Sequence, residues 1–333
     1  MLRCLFFGRD KFGLAAFRHL KDRGSHEVIG VVSPHLSDES LLLQKESYTL
    51  DIPFFQPGDV NEKQFLEEVR KLCPDINVSV NYPLIFGLEL INLPEYSTIN
   101  LHGGLCPNYR GGGGLYGAII NREEEFGITV HYMDGGIDTG PIVSQQQLPI
   151  YPSDNMDDLH QRMELAAPIL LHRALDSIAA GTVISSPQAD ISGSYFPKKP
   201  LGDEIIDWSE PSQLIYDRIR ARNPGPMNIT YLGREKIVVK TASLTNYPNY
   251  IGTVGQVIGV EKEIGVVVKT GDNAIRIEQV AFGNDPAKYL VARFALGSTF
   301  LSNWRQLYID ISNDYERLLD RVEKLERNLN GIK

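Results

Sequence analysis

Apolar and polar positions change period several times along the 333-residue chain, and each change marks an element. "LRCLFFG" is a continuous apolar run ending in glycine, the pattern of a strand buried on both faces. Phe12, Ala16, His19 and Leu20 follow at helical spacing, and "HEVIGVVS" is a second buried run, so the chain opens with a βαβ unit. Strand-like runs at "DINVSVNY", "STINLH" and "GITVHYMD" are separated by helix-like segments such as "NEKQFLEEVRKL". The alternation predicts an α/β fold, a Rossmann-like, mostly parallel sheet with helices on both faces. Ligands of such sheets sit beyond the carboxyl ends of the strands. A long helix is expected from Met156 to Ala180, with Leu159, Met163, Ala166, Leu170 and Ile178 on one face. Ser153 or Asp154 is its expected cap, and Pro168 is expected to kink it.

Beyond this helix the pattern becomes loop-like, with Gly193, Pro197, Pro200 and Gly202. Residues 1–190 are therefore read as one domain and 191–210 as a linker. After the helical stretch "PSQLIYDRIRAR", the runs "MNITYL", "KIVVKTASL", "GTVGQVIGV", "GVVVKT" and "NAIRIEQV" alternate with glycine-bearing turns. Short strands at that spacing predict a small OB-like β-barrel over 211–311. A terminal helix is expected over 312–333. Its Tyr315, Leu318, Val322, Leu325 and Leu329 form a seam two heptads long, which fits packing on its own barrel or contact with a second copy in a homodimer.

Composition narrows the class. Hydrophobic residues make up 42% and charged residues 23%, ordinary for a soluble globular protein, and no apolar run has the length of a membrane span. The N-terminus lacks the pattern of a secretory leader, and Cys4, Cys73 and Cys106 have no metal-type spacing, which points to reduced thiols in a cytoplasm. Residues 201–333 carry 17 of the 33 basic and 17 of the 42 acidic residues, so the acid excess, 25 against 16, lies in the first 200. Neither part has the basic footprint of a nucleic-acid binder.

The candidate chemistry lies in "STINLHGGLCPNYRGGGGLYG". In a strand over Thr98–His102, Asn100 and His102 share a face near its carboxyl end. A histidine titrates near neutrality and moves protons, and an asparagine amide can donate to a developing oxyanion. The glycines from Gly103 to Gly114 are expected to let a ligand come close to the imidazole. A carboxylate is wanted to orient the ring, and "YMDGGIDTGPIV" supplies Asp134 and Asp138, of which Asp138 is the choice. His131 is read as structural, and a Cys106–His102 nucleophile pair is disfavoured by the apolar setting of the thiol. The loop "GRDKFG" lacks the dinucleotide fingerprint, so no nicotinamide cofactor is expected, and nothing suggests a metal.

Asn100, His102 and Asp138, within "INLHGGLCPNYRG" and "MDGGIDTG", resemble the site of the folate-dependent formyltransferase family. That family includes methionyl-tRNA formyltransferase, glycinamide ribonucleotide formyltransferase and the sugar N-formyltransferases. The similarity extends through "YFPKKPLGDEIIDWSEP", "IYDRIRARNPGP" and "GTVGQVIGV" and so covers nearly the whole chain. It implies N10-formyltetrahydrofolate as formyl donor, its pterin against Leu84, Ile85 and Phe86 and against the turn of Asp134, Gly135, Ile137 and Asp138. It also implies that Asn100 stabilises the oxyanion, His102 moves a proton or shares that charge, and Asp138 holds His102. Departures from the family pattern are Gly104 in place of a serine, Cys106 in place of a leucine, the missing proline in "RGGGGLYG", and Gly225 in place of an aromatic. The changes near the site are expected to loosen the acceptor loop, and Gly225 to widen the cleft between the domains.

Within the resemblance the acceptor stays open. A nucleotide-linked amino sugar is the favoured partner, with Lys11, Tyr109 and Arg110 as candidate contacts. Methionyl-tRNA is the alternative, and a non-catalytic folate or nucleotide-binding module a second one. A deformylase that passes the group to water is disfavoured by the presence of the barrel. The tRNA enzymes tend to carry a basic insertion after the second strand. Here "SPHLSDESLLLQKES" has one lysine against Asp38, Glu39 and Glu46, with Asp51 following.

Overall fold

The apolar runs at the start of the chain become the middle of a sheet. The computed structural model describes residues 1–34, 38–188, 193–198, 203–225, 227–247, 251–283, 288–301, 312, 315–319, 321 and 322. They divide into two compact units, Met1–Lys198 and Lys199–Lys333.

In the first unit, β1 (Arg3–Gly8), β2 (Glu27–Val32), β3 (Phe54–Phe55), β4 (Ile76–Val80) and β5 (Thr98–His102) are parallel. β6 (Glu125–Tyr132) pairs antiparallel with β5, and β7 (Ile142–Pro149) antiparallel with β6. The order is β3-β2-β1-β4-β5-β6-β7. Alternate side chains of β1 go to opposite faces. Phe6 meets Phe17 of α1 (Asp10–Arg23), ring centroids 5.8 Å apart. Leu5 and Phe7 turn the other way, into a cluster with Phe65, Leu66 and Val69 of α3 (Lys63–Leu72) and Leu90 and Ile91 of α4 (Leu88–Ile91). Helices thus cover both faces, with α2 (Asp38–Thr49), α5 (Gly114–Ile120) and α6 (Met156–Ala179) completing the set. The strand order reverses between β1 and β4, which opens a crevice at their carboxyl ends.

The long helix α6 has a different cap from the one expected. Asn155 accepts from the amides of Asp157, at 2.7 Å, and Asp158, while Asp158 accepts from the amide of Asn155 at 2.9 Å. This capping box satisfies donors that the helix leaves orphaned. Asp154 is not free to cap, because it pairs with Arg162 and accepts from the amide of Tyr151. The helix continues through Pro168.

In the second unit, α7 (Ser212–Ala221) precedes β8 (Asn228–Leu232), β9 (Glu235–Leu244), β10 (Val257–Glu261), β11 (Gly265–Lys269), β12 (Ala274–Phe282) and β13 (Leu290–Val291). These strands pair antiparallel in the order β10-β11-β12-β9-β8, with β13 on β12. The two outer edges are joined by the chain after β13. Thr299 bridges Gln256 beside β10, and the amide of Leu301 donates to the carbonyl of Tyr231 on β8 at 2.9 Å. The enclosed core holds Ile237, Val239, Val266, Ile277 and a fully buried Trp208, whose indole N–H bonds Thr230 and whose ring stacks on Phe300. Of the terminal seam, Tyr315, Leu318 and Val322 are exposed, and Leu325 and Leu329 lie outside the described residues. No helix among the described residues is long and apolar enough to cross a membrane.

Candidate active site

β5 carries Asn100 and His102 on one face, and its antiparallel pairing with β6 sets His131 opposite Asn100 and Thr129 opposite His102. The turn after β6 brings in Asp138 with φ +54°, a left-handed conformation that aspartate tolerates. Its carboxylate is the meeting point. Oδ2 accepts the amide of Gly111 at 2.8 Å and lies 3.5 Å from His102 Nδ1. Oδ1 accepts from Asn100 Nδ2 at 3.3 Å and lies 3.4 Å from His131 Nε2. The three predicted residues therefore converge, and His131 joins them.

Burial works to raise the Asp138 pKa. The His131 ring nitrogen, the His102 imidazole and the Gly111 amide outweigh it and hold the carboxyl well below the usual range. Burial lowers the His102 pKa, and His131 acts in the same direction, against the pull of Asp138 and of the Tyr109 carbonyl. His102 Nε2 lies 2.9 Å from that carbonyl oxygen, a contact that requires an N–H. In the neutral ring the proton is therefore on Nε2, and Nδ1 is left as the basic nitrogen.

The glycines have a different use from the one expected. A Cβ on Gly104 would lie 2.4 Å from both His102 Nε2 and the Tyr109 oxygen. Any side chain there would fall on the hydrogen bond that orients the ring, so Gly104 tightens this loop. Gly111, Gly113 and Gly117 make room for the chain's own segment 193–198. Their Cβ positions would lie 2.6 Å from the Tyr195 ring, 2.4 Å from the Pro197 oxygen and 2.7 Å from the Phe196 ring. Backbone hydrogen bonds between Arg110 and Ser194, Phe196 and Arg110, and Gly113 and Phe196 fasten that segment across the loop.

The other predicted positions are spread around this centre. Leu84 and Ile85 are exposed, on a loop tied by Asn61 to the Ile85 carbonyl and the Gly87 amide. Phe86 turns inward, against Phe7 at 4.7 Å and Tyr82 at 5.6 Å, and is lost to any ligand-facing surface. Asp134 accepts from the Gly136 amide and the Thr139 hydroxyl and so builds the turn, while Ile137 is exposed. A Cβ on Gly135 would just touch Leu88, an exposed leucine, at 3.9 Å. Tyr109 stacks on Phe196 and donates to Glu123, and Arg110 donates twice to Gln188. Both of these candidate contacts are thus engaged within the unit. Lys11 is exposed in the first turn of α1. The Cys106 thiol is pushed up to about 12, first by burial and then by Asp138, which makes it a poor nucleophile. Among the described residues no group of three or more His, Cys, Asp or Glu is arranged to hold a metal ion.

Several supporting residues escaped the sequence reading. Gln188 donates to the carbonyls of Asp138 and Gly140, both at 2.8 Å, and so fixes the turn that presents Asp138. Thr129 donates to the Gly104 carbonyl at 2.6 Å and accepts from the Cys106 amide. The usable signal was the alternation Thr129, His131 in a strand that could pair antiparallel with β5.

Comparison with known proteins agrees with this geometry. The family model for formyl transferase matches residues 2–175, and that for the formyl transferase C-terminal domain matches residues 201–290. A methionyl-tRNA formyltransferase of Moorella thermoacetica is 33% identical over 287 residues, covering 84% of this chain and 91% of the relative. Among solved structures, an N-formyltransferase from Helicobacter canadensis, in complex with folinic acid and dTDP-3-aminofucose, has TM-score 0.62 at 21% identity, covering 83% of this chain and 99% of that one. WlaRD, a sugar 3N-formyl transferase in the presence of dTDP and 5-N-formyl-THF, has TM-score 0.60 at 21% identity, covering 86% and 99%. An asparagine, a histidine and an anionic aspartate gathered at a strand end, in a chain matched over both of its units, make this protein a member of the formyl transferase family.

Proposed function

We propose that this formyl transferase moves the formyl group of N10-formyltetrahydrofolate to the amine of a nucleotide-linked amino sugar in the cytoplasm. Among the exposed apolar residues, Leu84, Ile85, Leu88 and Ile137 suit the flat pterin. The amine adds to the formyl carbon, and the carbon–N10 bond then breaks. Asn100 donates to the developing oxyanion, His102 accepts a proton at Nδ1, and Asp138 stabilises the imidazolium so formed and assists delivery of a proton to N10. Of the candidate contacts Lys11, Tyr109 and Arg110, Lys11 is the cation left to meet a diphosphate.

The observation that carries the choice of acceptor is the fate of the arginines. A tRNA enzyme must neutralise many phosphates with Lys and Arg. In the second unit Arg218 pairs with Glu210 at 2.7 Å, Arg220 with Asp217 at 2.8 Å and Arg276 with Glu261 at 2.8 Å, while Arg222 lies 3.6 Å from Asp203. These guanidiniums are spent on carboxylates of their own unit. In the first unit α2 has three acidic residues and one lysine, and its Glu46 pairs with Arg18. The second reading, methionyl-tRNA as acceptor, is favoured by the 33% identical relative of that name.

The test offers the protein formyl donor with UDP-, dTDP- and GDP-linked amino sugars and, separately, with methionyl initiator tRNA. The expected result is a formyl mass gain on at least one sugar and only mild loss of rate up to physiological salt. Efficient formylation of the tRNA alone, with affinity falling at a log-log slope of roughly 0.7 to 0.9 per phosphate contact, makes the second reading the right one.

Asn100→Ala and His102→Ala should each lower turnover by on the order of 10² to 10⁴, with donor affinity little changed. Wild-type turnover in either variant removes that residue from the mechanism.

Stability should respond to acid through His102. Its folded pKa is lowered, so the unfolded chain takes up the proton first, and stability falls as the pH drops below about 6.5. Asp138, also lowered, keeps its full contribution above the ordinary carboxylate pKa of about 4 and loses it progressively only below that, so it adds no slope between pH 7 and 5. Chemical unfolding of His102→Gln should therefore show a flatter stability profile than wild type between pH 7 and 5; an equal slope places the proton uptake elsewhere.

The exposed Tyr315, Leu318 and Val322 support a homodimer built on the terminal segment. Truncation after Asn313 should leave a monomer by light scattering, and an unchanged mass moves the contact elsewhere.

A further inference from the structure

A primary amide has two hydrogens, and two acceptors claim those of Asn100. Its Nδ2 lies 3.2 Å from His131 Nε2 and 3.3 Å from Asp138 Oδ1. His131 Nδ1 lies 2.7 Å from the carbonyl oxygen of Tyr132, a contact that requires an N–H. That nitrogen therefore carries the proton of the neutral ring, and Nε2 presents a lone pair. Nε2 is also 3.4 Å from Asp138 Oδ1, and a lone pair facing a carboxylate gains nothing unless a hydrogen lies between them. The Asn100 amide supplies it. The ring is 2% exposed, so bulk water does not reach it. His102 is the remaining titratable neighbour, its ring centroid 6.5 Å away and tilted by 73°.

We infer that His131 is a positioning residue for formyl transfer, holding one amide hydrogen of Asn100 on its Nε2 lone pair so that the other is aimed as a donor toward the reacting oxygen. This rests on the role of Asn100 proposed above. Rotating the amide by half a turn exchanges Nδ2 and Oδ1. The flipped form would set Oδ1 against the Nε2 lone pair and the Asp138 carboxylate, three acceptors with no hydrogen among them. It would also meet a developing oxyanion with another oxygen. The hydrogen now on the longer bond to Asp138 is the one the oxyanion takes, since that carboxylate keeps the Gly111 amide at 2.8 Å. His131 thus fixes which end of Asn100 the reaction meets without touching substrate.

The test combines kinetics with a spectrum that needs no acceptor. His131→Phe keeps the ring shape and removes the lone pair, and His131→Gln restores an acceptor at similar reach. Turnover of His131→Phe is expected to drop by about 10- to 100-fold, and by no more than Asn100→Ala, since oxyanion-donor losses set that ceiling. In an Asn100→Ala background the same change should cost less than about twofold, the signature of two residues acting as one. His131→Gln should recover most of the loss. Equal losses in both backgrounds, or none in either, overturn the proposal. In parallel, two-bond proton–nitrogen correlation spectra of the wild-type imidazoles should show His131 protonated at Nδ1 and bare at Nε2; a hydrogen on Nε2 overturns the assignment. If wild type formylates nothing offered, the acceptor reading fails while the spectrum still decides the role of His131. If the Phe variant does not fold, the Gln variant and the spectrum remain decisive.

Discussion

A carboxylate that is 88% covered is expensive unless its charge is answered, and Asp138 is answered by two donors and faced by two imidazoles. Gly111 gives an amide and Asn100 an amide hydrogen, while His102 and His131 stand 3.5 and 3.4 Å away, where the anion favours a proton arriving on the ring. Those groups come from β5, β6 and the glycine loop, segments distant in the sequence, and the need to solvate one anion fixes their mutual positions. The turn from Asp134 to Gly140 and the bonds from Gln188 have the complementary task of presenting that anion at the correct height. The site is therefore ordered around a charge that is present before any substrate arrives, the condition under which electrostatic stabilisation costs no reorganisation during the reaction.

Within that arrangement His102 is under opposing pulls. The carboxylate and the Tyr109 carbonyl favour the imidazolium, whereas burial disfavours it and prevails in the resting protein. A ring held neutral beside a permanent anion is suited to gaining a proton as the reaction proceeds, because the stabilising partner is already in place.

The strands most visible in the sequence were those buried on both faces, β1, β2, β4, β5 and β6, whose apolar runs leave no other reading. β7 was missed because it is an exposed edge, with Gln145, Gln146 and Gln147 where a central strand would be apolar. β3 and β13 are two residues each and carry no period. Asn100, His102 and Asp138 were visible as residue types at strand ends, but His131 was not, because its part depends on cross-strand register, which residue spacing alone does not reveal. The glycines misled for a related reason. A glycine records that something comes close, and here what comes close to Gly111, Gly113 and Gly117 is Tyr195 to Pro197, some eighty residues further on.

That strap gives the first unit a boundary set by packing. The family model for the N-terminal part ends at residue 175, within α6, yet the loop that supplies the Gly111 amide to Asp138 is clasped by Ser194 to Pro197. A chimera that grafts this catalytic unit onto a foreign C-terminal unit, cut at the end of α6, would expose the ring-sized hollows of Gly111 and Gly117 and leave the loop untethered. The exchangeable module runs to Lys198, and its glycines and its strap must be inherited together.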